Sequence, residues 1–406
     1  MARNTETWEQ RPDFPETHYV DSRVYTDEGI FREEQEKIFN KVWMVACHES
    51  ELPNPYDYRT YKHPGGADLF LVRGDDMKIR CFYNVCTHRG NTLLFDPSGN
   101  AKHITCIFHL WSYDARGNLT DVMREKEGYQ DRICRDKLSL REVNCEVDFA
   151  GVAWVNVDDA AEPLASYIGG ALDYLKEELS RPLEIFHYHR AIVDTNYKLW
   201  HETNSEIYHD FVHYHNRVTG MMQKGYFDRR FHCYPNGHGY LDSMEIRYDA
   251  YEGVDGQREF GWPDAPKACH KFIDLFPGVT YNLRSPTFRL DSTIPLGPNK
   301  VMIEFRGLAP KDDTPEERRR RIKDHNGIWG PFGRNLHEDL LAVHGQSQAL
   351  NGIHSYLIQA REEQLNSHDE IALRHFYAEW NRRMGRKASD PFNEAAAAPE
   401  RAQHAV

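Results

Sequence analysis

Cys86-Thr-His88 is followed, after 17 residues, by Cys106-Ile-Phe-His109. Two short loops that each bring one thiolate and one imidazole constrain this chain more than any other feature, because both must be held close and rigid for four ligands to converge. The set suits a [2Fe–2S] centre in which two imidazoles replace two thiolates on one iron, which removes negative charge and raises the potential. Zinc also accepts two cysteines and two histidines. A zinc site, however, usually pairs its cysteines two to four residues apart, and a finger ends in two histidines. Here each loop carries one ligand of each kind, so the iron–sulfur reading is preferred.

The loops sit among short β-branched or aromatic runs, Leu69-Phe-Leu-Val72, Ile79-Arg-Cys-Phe-Tyr83 and Gly151-Val-Ala-Trp-Val155. Turns at Asp75-Asp76 and Arg116-Gly117-Asn118 bound them, so residues 41–160 read as a small all-β domain. With their flanks, Cys86-Thr-His88-Arg89-Gly90 and Cys106-Ile-Phe-His109-Leu-Trp111-Ser-Tyr113 closely resemble the two cluster loops of the Rieske non-heme iron oxygenases. These are the terminal components of bacterial ring-hydroxylating dioxygenases and related monooxygenases. The resemblance implies that Cys86, His88, Cys106 and His109 hold a Rieske [2Fe–2S] cluster.

A second constellation runs from Asn196 to His215. Read as one helix, it puts Glu202, Glu206, His209 and His213 on a narrow stripe at spacings of four, three and four. Leu199, Trp200, Ile207, Tyr208, Phe211 and Val212 surround that stripe, so it would be partly buried. Buried carboxylates and imidazoles need partners or a metal. A surface helix with satisfied histidines is the plainer alternative, and four aligned ionisable groups in apolar company count against it. Two histidines and one carboxylate form the facial triad of non-heme Fe(II) oxygenases, which leaves three positions open for dioxygen and substrate.

The segment resembles that family's catalytic motif, N-W-K-x3-E-N-x2-(D/E)-x-Y-H-x4-H. By position the resemblance implies His209 as first iron ligand and Glu206 as the acid linking the iron site to a Rieske histidine of a neighbouring subunit. The third ligand would come from Leu336-His337-Glu338-Asp339, after Gly330-Pro-Phe-Gly333; Asp339 is preferred and Glu338 is the alternative. The family spacing would put Tyr214 at the second histidine, with His213 one residue early and His215 one late. On a regular helix His215 is rotated about 120° from His209 and His213 only about 40°, which favours His213. The chain also departs from the motif with Glu at the linking position, Tyr197 for Trp, Thr203 for Asn, and an additional His201.

The expected fold is α+β: an N-terminal segment 1–40 packing on the catalytic domain, the Rieske domain 41–160, a helix-grip catalytic domain 161–386 with an antiparallel sheet around a long helix, and a flexible tail 387–406. Ser166–Leu179 reads as a helix opening the second domain. Strands are expected at 239–247, 280–283, 287–290 and 302–305, and a C-terminal helix from a Ser367 cap.

The net charge of −13 argues against non-specific nucleic-acid binding. Arg318–Arg321, after the cap Thr314-Pro315-Glu316-Glu317, reads as a solvated first helical turn rather than a docking patch. No apolar run approaches the ~20 residues of a membrane span. The N-terminus lacks an apolar signal core, and six further cysteines have no regular spacing, as in a reducing cytoplasm.

No dinucleotide fingerprint or plant-type ferredoxin run is present, so electrons would come from NAD(P)H through a separate flavin reductase, with or without a ferredoxin. The resemblance implies a head-to-tail ring, a homotrimer or an α3β3 assembly with a small β subunit, in which each cluster serves the neighbour's iron. The primary expectation for substrate is an aromatic acid; a small sulfonate or quaternary amine is the alternative. Met221, Met222, Tyr226, Phe227, Phe231 and Tyr234 are candidates for an apolar lining, and Arg229, Arg230 or Arg284 for an anion. A Rieske electron carrier or redox sensor without oxygenase activity is the reading from a different class.

Overall fold

A computed structural model describes residues 10–218, 222, 225–245, 260–266, 268–360 and 369–393. The expected positions of Met221, strand residues 246–247, the Ser367 cap and tail residues 394–406 lie outside them. The chain divides into two compact units. One is Phe39–Leu164 with Ser180–Ile185, and the other gathers Met1–Ile38, Ala165–Leu179 and Phe186–Val406. The return of Ser180–Ile185 to the first unit has no sequence signature; there the Ile185 amide donates to Ser50 Oγ at 3.0 Å.

Strand β1 (Tyr19–Asp21) belongs to the larger unit. The smaller unit is all-β in its sheets. β2 (Met44–His48), β3 (Asp57–Lys62), β4 (Asp68–Arg73), β5 (Ile79–Tyr83), β6 (Ser98–Asn100), β10 (Glu142–Val147) and β11 (Val152–Asn156) form one sheet in the order β2-β11-β10-β5-β4-β3-β6. A second sheet consists of β7 (Ile104–Thr105), β8 (Ser112–Tyr113) and β9 (Leu119–Asp121). Phe70, Phe82, Leu93, Trp111, Tyr113 and Leu119 pack in the core between them. The first ligand loop leaves β5, and the second joins β7 to β8.

The larger unit is built on a sheet of β12 (Leu183–Val193, from Phe186 onward within this unit), β13 (Phe231–Tyr234), β14 (His238–Glu245), β15 (Cys269–Leu275), β16 (Val279–Arg284), β17 (Thr287–Gly297) and β18 (Lys300–Pro310). Its order is β12-β18-β17-β16-β15-β14-β13, a meander from β13 to β18 with β12 closing the far side. β19 (Tyr356–Ile358) pairs with β1 in a separate ribbon. The expected strands 280–283, 287–290 and 302–305 are the cores of β16, β17 and β18. Asn282, Arg284, Arg289, Asp291, Glu304 and Arg306 interrupt the apolar pattern while being buried, which is why the sequence reads these strands short.

Two expected helices are broken. Ser166–Leu179 splits at Gly169 and Gly170, whose φ values of +60° and +87° are left-handed, a conformation glycine adopts without steric cost. The 196–215 segment is a helix only over Tyr197–Ser205. Glu206 is extended, a 3₁₀ turn covers Tyr208–Val212, His213 is again extended, and Tyr214–Val218 forms a last short helix. The C-terminal helix is Ile371–Met384, and Lys387–Asn393 packs back instead of trailing: the Ala388 carbonyl accepts from the Asp21 amide at 2.9 Å, and Ala388 and Ser389 are buried.

One buried ion pair ties three of these segments together. Lys198 Nζ lies 2.7 Å from Glu34 Oε1, both side chains are fully enclosed, and Trp380 Nε1 donates to the same oxygen at 2.7 Å. The basic run 318–321 is another correction. Thr314 and Glu317 do form a reciprocal capping box before Pro315–Ile328, and Arg319 and Arg320 reach the exposed Glu316. Arg321, however, is 1% exposed, pairs with Asp313 at 2.9 Å and donates to the Pro286 carbonyl. One helical turn directs a fourth arginine inward, where length and charge patterning alone do not reveal it.

Breaking a buried pair leaves an uncompensated charge, whereas exposed pairs contribute little. Arg321→Met is therefore expected to lower stability by about 3–5 kcal/mol, and Arg320→Ala to change it by less than about 0.5 kcal/mol. Urea denaturation followed by tryptophan fluorescence measures both.

Candidate metal centres and active site

The two cysteine–histidine loops share one backbone design. The Gly90 amide donates to the Cys86 carbonyl at 2.9 Å, and the Leu110 amide to the Cys106 carbonyl at 3.0 Å. The Cys86 amide donates to Asn91 at 2.8 Å, and the Cys106 amide to Trp111 at 2.9 Å. Both fifth residues are left-handed, Gly90 at φ +72° and Leu110 at φ +58°. For leucine that conformation costs roughly 1–2 kcal/mol, which the matching turn must offset. Tyr113 braces the first loop from below, its hydroxyl 3.4 Å from Cys86 Sγ and 2.8 Å from Thr87 Oγ1.

Both thiols are buried, at 2% and 1% exposure. The His88 and His109 rings stand 4.6 Å apart, and both Nδ1 atoms are buried without a hydrogen-bond partner. On the far side, Tyr129 Oη lies 3.1 Å from His88 Nε2, and Trp111 stacks on the His88 ring at 4.6 Å and 11°. Burial, then His109 and Arg89, lower the His88 pKa, which keeps the imidazole neutral as a ligand must be. Two thiols and two orphaned imidazole nitrogens converging on one place fit the donor set of a Rieske cluster.

In the larger unit the broken 196–218 segment brings its histidines together despite the lost helical register. His209 sits in the 3₁₀ turn and His213 at its end. Glu206 Oε1 lies 2.6 Å from His209 Nδ1, and its other oxygen accepts the His209 amide at 2.9 Å. Glu338 Oε2 lies 2.8 Å from His213 Nδ1. Each ring is thus held from behind by a glutamate, and each Nε2 faces Asp339: Oδ1 is 3.5 Å from His209 and 3.2 Å from His213. That oxygen is buried with no hydrogen-bond partner. Ligands about 2.1 Å from a shared ion and at right angles stand about 3 Å from one another, so the three atoms fit an Fe(II) facial triad.

Asp210 is a nearby fourth group, with Oδ1 3.8 Å from His209 Nε2 and 3.5 Å from His213 Nε2. Its distances are the longer ones, though His209, Asp210 and His213 themselves form a group whose ligand atoms lie within 4.8 Å of one another. His215 lines neither of the two cavities beside this site. Burial lowers the His209 pKa, but the carboxylates of Glu206, Asp339 and Asp210 outweigh it and hold the imidazole well above its ordinary value. His201, unexplained by sequence, is structural: it is buried, 3.1 Å from Asp274, and burial takes its pKa to about 3.

Two cavities meet at His209 and Asp339. The larger, about 340 Å³, is bounded by Tyr25, Glu202, Glu206, Gln346 and Glu370 among others. Glu202 accepts hydrogen bonds from Tyr25 at 2.7 Å and Tyr377 at 2.5 Å. The smaller, about 80 Å³, lies over one face of the sheet, where His270, Phe272, Asn282, Arg284 and Arg289 line up with Trp329 and Asn335. Of the candidate pocket residues, Tyr226 and Arg284 line it. Arg284 pairs with Asp324 at 3.3 Å. Arg229 is buried over the Tyr226 ring, and Arg230 is exposed. Sequence reading passed over Glu338 as an orienting group, and over Arg289, His270 and Trp329. A charged residue inside the apolar run Thr287–Leu290 was the available signal for Arg289.

Residues 42–136 match the Rieske [2Fe-2S] domain family, and residues 177–386 match the ring hydroxylating alpha subunit (catalytic domain) family. The chain is 48% identical to the methanesulfonate monooxygenase hydroxylase subunit alpha of Methylosulfonomonas methylovora, over 98% of this chain and 100% of the relative. The chain belongs to the ring-hydroxylating oxygenase alpha-subunit family. It is 39% identical to the 2-aminobenzenesulfonate 2,3-dioxygenase subunit alpha of an Alcaligenes species, over 96% of this chain and 99% of that one. Its fold is that of a naphthalene 1,2-dioxygenase solved with indole bound, with a TM-score of 0.76 at 22% identity over 95% of this chain and 96% of that chain.

The protein is therefore a Rieske-type terminal oxygenase, an oxidoreductase with a [2Fe–2S] cluster and a mononuclear iron. Such oxygenase components work with separate electron-transfer proteins and in multimers. Among the described residues no helix is long and apolar enough to cross a membrane.

Burial raises the Glu202 pKa from 4.5 to about 7, with the two tyrosines and Lys198 opposing. The folded protein keeps a proton there that the unfolded chain releases, so stability falls as pH rises from 4.5 to about 7. Glu202→Gln keeps an acceptor for both tyrosines and removes that loss. Urea denaturation at pH 5 and pH 8 should find the variant more stable by no more than about 1 kcal/mol at the lower pH and by up to about 3 kcal/mol at the higher.

Proposed function

We propose that this chain hydroxylates a small organosulfonate, with His209, His213 and Asp339 holding the iron, Cys86, His88, Cys106 and His109 holding the cluster, and Glu206 orienting His209. The observation that carries the substrate class is the 80 Å³ cavity beside Asp339, which has two buried guanidinium groups, Arg284 and Arg289, in its lining. A single water needs about 10–15 Å³. A space a few times larger suits a substrate of about five heavy atoms, and the Arg289 Nε–H that its pair with Asp291 leaves unused suits an anionic one. Two relatives that each span nearly this whole chain are named for sulfonates, one alkyl and one aromatic. The aromatic acid of the primary expectation fits this cavity less well.

Iron bound at the triad would supply the site at which dioxygen is reduced, with electrons from the cluster. Monooxygenation consumes one C–H bond, O2, two electrons and two protons, and yields C–OH and water. Glu206 and Glu338 fix the tautomers of His209 and His213 by accepting from Nδ1–H, which leaves each Nε2 lone pair for the metal. Arg284 and Arg289 offset the substrate's charge while the cavity limits water. When hydroxyl lands on the carbon that bears the sulfonate, the C–S bond breaks with its electron pair on sulfur. The hydroxyl proton is lost, and a carbonyl compound and sulfite form. A separate flavin reductase, with or without a ferredoxin, would reduce the cluster. The assembly would be a homotrimer or an α3β3 ring in which each cluster serves the neighbouring iron.

A single turnover tests the reading. Reduced, iron-replete protein mixed with labelled O2 and methanesulfonate should yield sulfite and a product with one labelled oxygen. Two labelled oxygens on 2-aminobenzenesulfonate, with no reaction of methanesulfonate, would instead establish an aromatic dihydroxylation. Turnover of benzoate alone would sink the sulfonate reading.

Iron analysis tests the ligands. Asp339→Asn should emerge with the cluster intact and the mononuclear iron lost, while Asp210→Asn keeps both. Glu338→Gln should keep the ligand set and weaken iron binding about 10–100-fold. Iron retained in Asp339→Asn and lost in Asp210→Asn would reverse the assignment.

A further inference from the structure

The sulfonate reading leaves open which atoms tell a sulfonate from a carboxylate, and the small cavity holds an answer in its unused donors. Arg289 rises from β17 opposite Asn282 of β16. Its side chain is 3% exposed, and burial lowers its pKa, with Asp291 and Asp339 opposing. One end of the guanidinium is committed: Nη2 donates to Asn204 Oδ1 at 3.1 Å and lies 2.9 Å from Asp291 Oδ2. The Nε–H, buried in the same place, has no partner. The guanidinium carbon sits 3.8 Å over the Trp329 ring, and the Trp329 indole N–H is also buried and unpartnered. His270 Nε2 is a third such atom on the same cavity.

An orphaned buried donor forfeits the hydrogen bond that water would give it, and a charged one forfeits most. Two of them, Arg289 Nε–H and Trp329 Nε1–H, lie on one cavity beside the unpartnered acceptors Asn282 Oδ1, Asn335 Oδ1 and Asp339 Oδ1, and a ligand oxygen can satisfy each of the two donors. The disposition of the donors selects that ligand. A carboxylate prefers a bidentate fork of two parallel N–H groups on one arginine, and here the Nε side of the fork is broken because Nη2 is already engaged. An anion with three oxygens in tetrahedral array can instead take one hydrogen bond from each of several separate donors.

We infer that Arg289 and Trp329 form the sulfonate-recognising pair of this oxygenase, with Arg289 Nε–H and Trp329 Nε1–H each donating to a different sulfonate oxygen. His270 lines the same cavity, its Nε2 buried and unpartnered. Arg284, engaged with Asp324, adds positive potential. The pair makes Arg289 a specificity-determining residue that is not an iron ligand. The inference rests on the sulfonate reading of the same cavity.

The experiment is a calorimetric titration of the iron-replete holoenzyme with methanesulfonate and, separately, acetate, for the parent, Arg289→Lys and Trp329→Phe. Cluster absorption and iron content are measured on each sample. Lysine keeps the charge and loses the planar, stacked Nε–H donor. Arg289→Lys should bind methanesulfonate about 10–100-fold more weakly, and Trp329→Phe about 3–10-fold. Both should keep cluster and iron, and the parent's preference for methanesulfonate over acetate should shrink in step. Unchanged methanesulfonate affinity in both variants, with metal content intact, would overturn the pair. A parent that neither binds nor turns over any sulfonate would overturn the sulfonate reading itself, and the parent titration separates the two failures. If Arg289→Lys loses its metals through misfolding, Trp329→Phe decides with cluster absorption and iron content matching the parent, since it removes the N–H donor along with part of the ring.

Discussion

Glu206 and Glu338 each close on the Nδ1 of a histidine, and much of the larger unit is arranged around that double grip. An imidazole offers a lone pair from one nitrogen only when a proton is held on the other, so the two carboxylates decide which nitrogens face Asp339. The backbone bends to permit it. A continuous helix from Asn196 would keep Glu206 in the helical register, but Glu206 is extended and doubles back to accept both the amide and the ring of His209. His213 is extended for a related reason, since its ring must meet a glutamate from the distant helix Leu336–Leu350. Local helix propensity gives way to an arrangement worth several hydrogen bonds to charged groups.

The sheet beside the site follows the same logic in another material. Its central strands are buried along nearly their whole length, yet carry arginine, asparagine, aspartate and glutamate. Paired charges such as Arg306 with Glu304 and Arg284 with Asp324 satisfy most of them. The few donors left over gather around the cavity next to Asp339. Most of the buried polarity is paired within the protein, while a few atoms, Arg289 Nε among them, are left without a partner beside the cavity.

The legible part of this protein was the part with local spacing. The ligand loops and the strands around them could be read because thiol, imidazole and turn residues recur at short, fixed distances. The 196–215 segment was legible in its residue types and misread in its geometry: the helical angles that favoured His213 over His215 apply to a helix that stops at Ser205. His201, on the same stretch, was opaque because its partner Asp274 lies on a strand 73 residues away in sequence. The orienting role of Glu338, named only as an alternative ligand, and the place of Arg289 went unread for the same physical reason, since long-range pairing across a sheet or between helices leaves no periodic trace. Arg321 shows the converse: a run of like charges conceals the one member whose helical phase turns it into the core.

The matched turns of the two ligand loops carry one more consequence. In a Rieske centre both thiolates bind one iron and both imidazoles the other, while each loop here supplies one of each. With Cys86, His88, Cys106 and His109 as the proposed ligands, each iron would take one protein ligand from each loop. Loosening either the Cys86 turn or the Cys106 turn would then disturb a ligand of both irons, so backbone shape would bear on the electron-carrying group as much as the four side chains do.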